Sequence, residues 1–483
     1  MRVTLGRKKV AVIGGGITGL TAAYYMQRLA NEHNLPLDII LIESTLRLGG
    51  KIHTLRKDGF IIERGPESFL DYSNDVRNLA RDLGIEDQLV RNNDGKTYVA
   101  VGNGLYPIPT NFILGGPLGV STFLTSGLIS ISGKLRAAGD LVLPKSDSAD
   151  EPIGDFFRRR FGKEVVENLV EPLLAGTFAG DIDHLSIQAM FPHFHELEKR
   201  HRSLILGMGK SDSSFGRKID SYLTFQNGLE TLIETIESKL ETKNVFKGAK
   251  VEKIEKEQDQ LKITLNNISP IKCDAVILTT PFNTVKEIVS DVNLLNELPN
   301  MKYATIATVT MAFKQDQKQM DKKDAMTFYV SRNSDYAITT CTWCNHKWSN
   351  VVPEGYDLFR AYIGRVGDEA IVELSDTAIE KTVLDDLGKS IGLTGTPEFT
   401  VVSRWKESMP QYEVGHETRM ETLKNKLHEQ YPNISLVGSS YEGISIPDCV
   451  AQGRKAAEEM LENIFKIKYN QTKHNKLRRF KIL

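Results

Sequence analysis

The stretch Val10 to Leu20, VAVIGGGITGL, decides the fold. Lys9 to Ile13 reads as a short buried strand and Thr18 to Ala30 as a helix, with Gly14, Gly15, Gly16, Ile17, Thr18 and Gly19 making the turn between them. The glycines of this G-x-G-x-x-G have separate duties. Gly14 allows the tight turn, Gly16 lets the backbone approach a pyrophosphate, and Gly19 lets the helix pack closely on the strand. Phosphate then meets the positive end of a helix. A bare glycine pattern is weak, but strand-to-helix context is what the motif demands.

Asp38 to Ile42 reads as a second strand, ending in Glu43, which lies 24 residues beyond Gly19. An acid there suits the two hydroxyls of a ribose and disfavours a 2′-phosphate. Glu43-Ser44 leads into Arg47-Leu48-Gly49-Gly50-Lys51, where paired glycines and cations reach the pyrophosphate from its other side. Phe60 to Glu63 reads as a strand, and Gly65, Pro66, Glu67 and Ser68 follow Arg64 as a turn able to reach a flavin ring. Near the other end, Ile434 to Val437 reads as a strand closed by Gly438, and Gly443-Ile444-Ser445-Ile446-Pro447 opens a helix running to about Met460. Its N-terminus would favour negative charge on a reduced flavin. Gln452, Gly453 and Ala456 are expected to pack helices there, with Cys449 a small apolar neighbour.

With its acid followed by a Gly-Gly-Lys step, the chain resembles the flavin amine oxidase superfamily, which implies FAD as cofactor. Between the two ends, Asn244 to Val251 and Leu261 to Leu265 alternate like antiparallel strands, and Asp274 to Leu278 is a continuous apolar strand. The resemblance places the backbone of Val251 at the adenine end and Trp405 at the flavin border. Several runs narrow the likeness: Tyr106-Pro107-Ile108-Pro109, Asp155 to Gly162, Glu171-Pro172-Leu173-Leu174-Ala175-Gly176 through Asp181, Phe225 to Leu229, and Ala361 to Arg365. They are similar to the oxygen-dependent protoporphyrinogen oxidase family, and most of all to its Gram-positive branch of coproporphyrinogen III oxidases. That resemblance covers about residues 8 to 465. It implies six-electron oxidation of a porphyrinogen in haem biosynthesis, with O2 as acceptor and hydrogen peroxide as product. Tyr362 is the side chain it places over the substrate face of the flavin.

The implied fold class is α/β, α+β overall: a two-lobed FAD-dependent oxidoreductase with a Rossmann-type FAD domain, a mixed-sheet substrate domain and a helical insertion. Residues 1–90, 211–295 and 401–465 are assigned to the FAD domain, 91–210 to the helical unit, 296–400 to the substrate sheet and 466–483 to a basic tail. Length agrees, since 483 residues exceed what one core holds.

A net charge of −1 argues against nucleic acid as partner. The tail carries seven Lys/Arg and no acid, which suggests peripheral contact with an anionic membrane, or simply a solvated terminus. Thr97 to Gly133 lacks any charge, but its many glycines and prolines, among them Pro109 and Pro117, argue for a buried or membrane-grazing lining rather than a span. Transient contact with other haem-pathway enzymes is a further expectation of the resemblance. Four cysteines and no secretory leader point to the cytoplasm. Cys341-Thr-Trp-Cys344 lacks the second pair that zinc needs, and no metal is expected; His193, His195 and His201 have no ligand spacing with acids.

For the four carboxylates of coproporphyrinogen, Arg158 to Arg160 or Lys199 to Arg202 are candidate partners; solvated helix faces are the other reading. After the Gly65 turn, Asp71-Tyr72-Ser73-Asn74 offers no base before Arg77, where some relatives have one, so no substrate role is carried to that position. An amine oxidase or carotenoid desaturase would need an aromatic cage or a long apolar tunnel, and a non-catalytic flavoprotein would show lost flavin motifs. None of these signs is legible.

Overall fold

In the computed structural model the described residues are 6–102, 104–108, 126–210, 221–289, 295, 298–315 and 325–466. Pro109 and Pro117 of the uncharged run, and the basic tail from residue 467 onward, lie outside them. The first strand, Lys8–Ile13, sits near the middle of a five-stranded parallel sheet, flanked by Leu37–Glu43 and Ala275–Leu278, with Val245–Lys247 and Ile434–Leu436 at the edges. Strands buried on both faces must be apolar throughout, and Ala275 to Leu278 are all fully buried. On one face lie the helices Ile17–Glu32 and Ile446–Phe465, which cross where Gly453 leaves room; a Cβ there would overlap the Thr18 carbonyl. Gly453 and Ala456 therefore pack helix on helix, as the sequence suggested.

A seven-stranded sheet forms the second lobe, in the order Phe399–Pro410, Tyr303–Lys314, Tyr356–Ile363, Ile338–Trp343, Ala325–Val330, Lys96–Val101, Gly104–Pro107. All neighbours are antiparallel except Ala325–Val330 with Lys96–Val101. One face is apolar: Val309, Phe328, Cys341 and Ala361 pack under Ile379, Val383 and Leu387 of the helix Asp376–Ile391.

Two expected boundaries shift because strand pairing overrides chain order. Residues 96–107 join this sheet, so the helical unit starts after them. The strand Phe399–Pro410 runs across position 400, and the return to the FAD domain comes after Pro410. Asn244 to Val251 is likewise not one antiparallel strand. Val245–Lys247 pairs in parallel with Leu37–Glu43, the chain turns at Gly248 (φ +71°), and Val251–Glu257 opens a separate antiparallel sheet.

Between the lobes lies a helical unit spanning Ile131 to Lys210, whose core is aromatic, with Phe156, Phe157, Phe161, Phe191 and Phe194 buried together. Its helix Glu171–Phe178 continues directly from a π-helical turn, Val166–Val170. The missing N–H of Pro172 helps explain the loosened ladder. Among the described residues no helix is long and apolar enough to cross a membrane.

Candidate active site

The glycine turn behaves as its chemistry requires. Gly14 has φ +107°, and a Cβ there would lie 3.4 Å from the Thr279 carbonyl carbon. Thr279 donates its hydroxyl to the carbonyl of Ile13 at 3.0 Å and so braces the turn from behind. Gly16 is the N-cap of the first helix with no side-chain cap, and a Cβ on it would meet nothing within 4 Å. The helix N-terminus thus opens onto free space, with its N–H groups turned to an anion.

Glu43 sits beside this opening. One carboxylate oxygen accepts the N–H of Gly15 at 2.7 Å; the other accepts Thr45 N–H at 2.8 Å and the Ser44 hydroxyl at 3.3 Å. A carboxylate has about four acceptor sites, so it can still take ribose hydroxyls. The Gly49-Gly50 step folds back over the turn, with Gly49 N–H donating to Gly15 carbonyl at 2.8 Å. Gly49 and Gly50 both take positive φ, which only glycine does cheaply. Lys51 then turns its amine inward to within 3.5 Å of Ser439 Oγ. It has no carboxylate partner among the described residues, and desolvation pushes its ammonium below the usual range. A half-buried cation without a carboxylate partner, beside an uncapped helix N-terminus, fits a pyrophosphate. Ala249 N–H bonds the Glu43 carbonyl, which brings Val251, two residues on, to the same end of the site.

The turn after Phe60–Glu63 is fixed on both sides. Gly65 lies so close to the Lys51 carbonyl that a Cβ would overlap it, and that Cβ would also touch the Trp405 ring at 3.3 Å. Trp405 donates its indole N–H to the Arg64 carbonyl at 2.6 Å, and Thr308 donates to the same oxygen at 3.0 Å. Trp405 therefore does border this turn. Glu67 is placed differently from the simplest reading. Its carboxylate is taken by Lys347 and Arg360, which leaves the backbone of Gly65 and Pro66, not the Glu67 side chain, as what this turn can present. Ser68 lies beside them, half-buried.

In the returning segment, Ser445 spends its hydroxyl capping the helix: it accepts Asp448 N–H at 3.1 Å and bonds the Tyr72 phenol at 2.7 Å. Ile446 packs into the core of the FAD domain, and Ile444 packs against the helical unit. The side chains of these three are therefore committed within the protein. Gln452 does more than pack. It accepts Gly438 N–H at 2.8 Å and donates to Gly443 carbonyl at 3.2 Å, tying both ends of the loop.

The second lobe turns a polar face toward this turn. Thr308 and Thr310, Thr327 and Tyr329, Thr340 and Thr342, and Arg360 and Tyr362 alternate with the apolar residues of their strands, and the threonines are buried. A sheet face that is polar without being wet faces a site, because buried polar groups otherwise cost free energy. Tyr362 lies under Arg360, whose guanidinium is 4.8 Å from the ring centroid. Desolvation pushes the Tyr362 phenol well above its usual range, so it stays neutral. The helix Glu171–Phe178 crosses this face at Gly176, where a Cβ would stand 2.5 Å from the Tyr329 ring. The sequence singled out Tyr362, which lies on this face, but not Tyr329, Arg360 and the threonines beside it, nor Lys347. For Tyr329, Arg360 and the threonines the signal was the period-two alternation of Thr, Tyr and Arg inside strands; Lys347, on the short helix Cys344–Lys347, carried none.

The candidate arginines of the helical unit are occupied. Arg158 pairs with Asp183 at 2.6 Å, Arg159 with Glu151 and Glu198 at 2.6 Å each, and fully buried Arg160 with Asp140 at 2.7 Å. Arg200 pairs with Glu196 at 3.2 Å, and Arg202 donates to the Leu141 carbonyl at 3.1 Å. They build the unit rather than wait for substrate. Cys341 and Cys344 are free, buried and in different cores, and burial pushes both thiols up, Cys344 to about 12. His195 is buried between Gln188 and Ser148, and burial pushes His193 down to about 4. Among the described residues no group of His, Cys, Asp and Glu could hold a metal ion.

The profile of flavin-containing amine oxidoreductases matches residues 17–461. The chain belongs to that family. It is an FAD-dependent oxidoreductase. Coproporphyrinogen III oxidase of Bacillus subtilis is 46% identical over 95% of this chain and 99% of its own length, and that of Staphylococcus aureus 38% identical over 95% and 100%. A solved structure described as a putative protoporphyrinogen oxidase from Exiguobacterium superposes with TM-score 0.84 at 34% identity, over 96% of this chain and all of the other. Reduced UDP-galactopyranose mutase shares the fold alone, with TM-score 0.71 at 15% identity and 96% of each chain covered.

Proposed function

We propose that this enzyme oxidises coproporphyrinogen III to coproporphyrin III in haem biosynthesis, with protoporphyrinogen IX as a second substrate. The observation that carries the reading is a full-length likeness to two coproporphyrinogen III oxidases, joined to a buried polar face opposite the flavin-binding turn. FAD, when bound, would supply the acceptor for three two-electron oxidations that together take four meso C–H and two pyrrole N–H hydrogens from the macrocycle, as three hydrides and three protons, and three O2 would carry the electrons off as three hydrogen peroxide molecules.

The protein's part is to bind, align and keep out water. Gly14 to Gly19, Glu43, Ser44 and Lys51 hold the dinucleotide, with Val251 at the adenine end. The backbone of Gly65, Pro66, Ile444, Ser445 and Ile446, with Trp405, frames the flavin. Tyr362 offers a flat, neutral ring to the macrocycle, on a face that the helix Glu171–Phe178 crosses at Gly176. The test is to incubate the yellow protein in air with each porphyrinogen and follow porphyrin fluorescence and peroxide. Absence of enzyme-dependent porphyrin from either substrate would overturn the reading.

Peripheral membrane contact has one supporting feature. Ile131 (79% exposed), Leu135 (71%) and Val142 (75%) lie bare beside Lys134 and Arg136 in the helical unit. Apolar residues flanked by cations suit an anionic lipid surface. Flotation with anionic but not neutral vesicles, abolished in Ile131→Ser/Leu135→Ser, is the expected result.

A further inference from the structure

Lys347 and Arg360 are deeply buried cations, with side chains 8% and 2% exposed, and both converge on the carboxylate of Glu67. Arg360 also donates to the Gly65 carbonyl, the backbone proposed to meet the flavin, and lies over the Tyr362 ring. Lys347 sits over the rings of Tyr222 at 4.5 Å and Trp348 at 5.8 Å, so its charge is away from water. Among the described residues, the other titratable groups that face the cluster are neutral below about pH 7. The Cys344 thiol and the phenols of Tyr329 and Tyr362 are pushed up by desolvation. Glu63, which accepts Leu229 N–H at 2.6 Å and the Thr54 hydroxyl at 2.8 Å, is pushed up to about 7 by burial. Below that pH the set carries two positive charges against one negative.

An ion pair with a surplus cation is an odd choice for mere stability, since burial costs each ion several kcal/mol and an apolar trio would serve as well. A net positive charge in a low-dielectric interior acts over distance, and reduction of a flavin adds negative charge. We propose that the Lys347–Glu67–Arg360 cluster is an electrostatic positioning device that raises the reduction potential of the flavin from beneath the Gly65 turn, while Arg360 holds the ring of Tyr362. This rests on the flavin placement given above.

The test uses the FAD-loaded enzyme at about pH 6 and reads the flavin midpoint potential by dye-coupled reduction. Glu67→Gln removes a negative charge and is expected to move the potential upward. Lys347→Met removes a positive charge and is expected to move it downward, and Lys347→Arg is expected to restore the parent value. Opposite signs from neighbouring residues are what a purely structural role does not produce. Shifts of the same sign, or none, overturn the inference. Should Glu67→Gln not retain flavin, the Lys347→Met and Lys347→Arg pair decides alone: a loss that Arg does not restore, or no shift, overturns it. A parent protein that binds no FAD would instead refute the flavin placement.

Discussion

Gly16 and Gly19 belong to one motif, yet the structure gives them different reasons to be glycine, and substituting each with alanine separates those reasons. A Cβ on Gly19 would overlap the Gly14 carbonyl oxygen and stand 2.9 Å from Thr279 Oγ1 and 3.1 Å from the Gly14 carbonyl carbon. The Gly14 backbone cannot give way, so Gly19→Ala is overpacked and should cost about 1–3 kcal/mol of folding stability whether or not FAD is present. A Cβ on Gly16 meets no protein atom, and its φ of −72° and ψ of 176° suit alanine. The poorer N-cap costs about 0.5–1 kcal/mol, offset by a similar gain, about 0.4–1 kcal/mol, from lower freedom in the unfolded chain. Gly16→Ala should therefore unfold near the parent's urea midpoint when stripped of FAD. The methyl occupies the approach of the pyrophosphate, and losing one charge-assisted hydrogen bond is worth about 2 kcal/mol, roughly thirtyfold in Kd. Urea unfolding with and without saturating FAD, and FAD titration by fluorescence quenching, measure both quantities. If Gly16→Ala binds FAD as tightly as the parent, or loses more stability than Gly19→Ala without it, the reasoning is wrong.

Lys51→Met should weaken FAD binding at least tenfold with little loss of stability in the FAD-free protein, because its amine lacks a carboxylate partner; equilibrium dialysis against FAD checks this. Asp140→Asn takes the nearer carboxylate from Arg160, both side chains being 0% exposed, and leaves it Glu198 at 3.6 Å; it should destabilise by about 3 kcal/mol, while turnover per flavin-loaded molecule stays unchanged at low temperature. Glu63 holds its proton more tightly when folded, rising from 4.5 to about 7, so its contribution is full below pH 4.5 and is lost as pH rises toward 7. Glu63→Gln should thus gain on the parent by up to ~3 kcal/mol between pH 5 and 8, as read from urea midpoints across that range; a constant difference would refute it.

The sequence by itself determined the FAD domain. Gly14, Gly16, Gly19, Glu43 and the Gly49-Gly50 step act within a single strand–turn–helix neighbourhood, where backbone sterics and a helix end fix what each residue must be. The C-terminal helix was legible for the same reason: Ser445 caps it, Pro447 sits in its first turn, and Gly453 permits its crossing. Arg158 to Arg160 misled as a cluster because charge in a sequence carries no address for its partner. Only the fold assigns Asp183, Glu198 and Asp140 to them.

What only tertiary structure decided is the substrate lobe. Its boundaries moved because Lys96–Val101 pairs with Ala325–Val330, and Phe399–Pro410 with Tyr303–Lys314, contacts set by packing between segments far apart in the chain. The same holds for the Glu67 cluster, whose cations come from 280 and 293 residues away. Periodicity can announce that a strand has two unlike faces. Which face is covered by the helix Asp376–Ile391, and which is left buried and polar around a site, is settled only when the whole sheet closes on its neighbours.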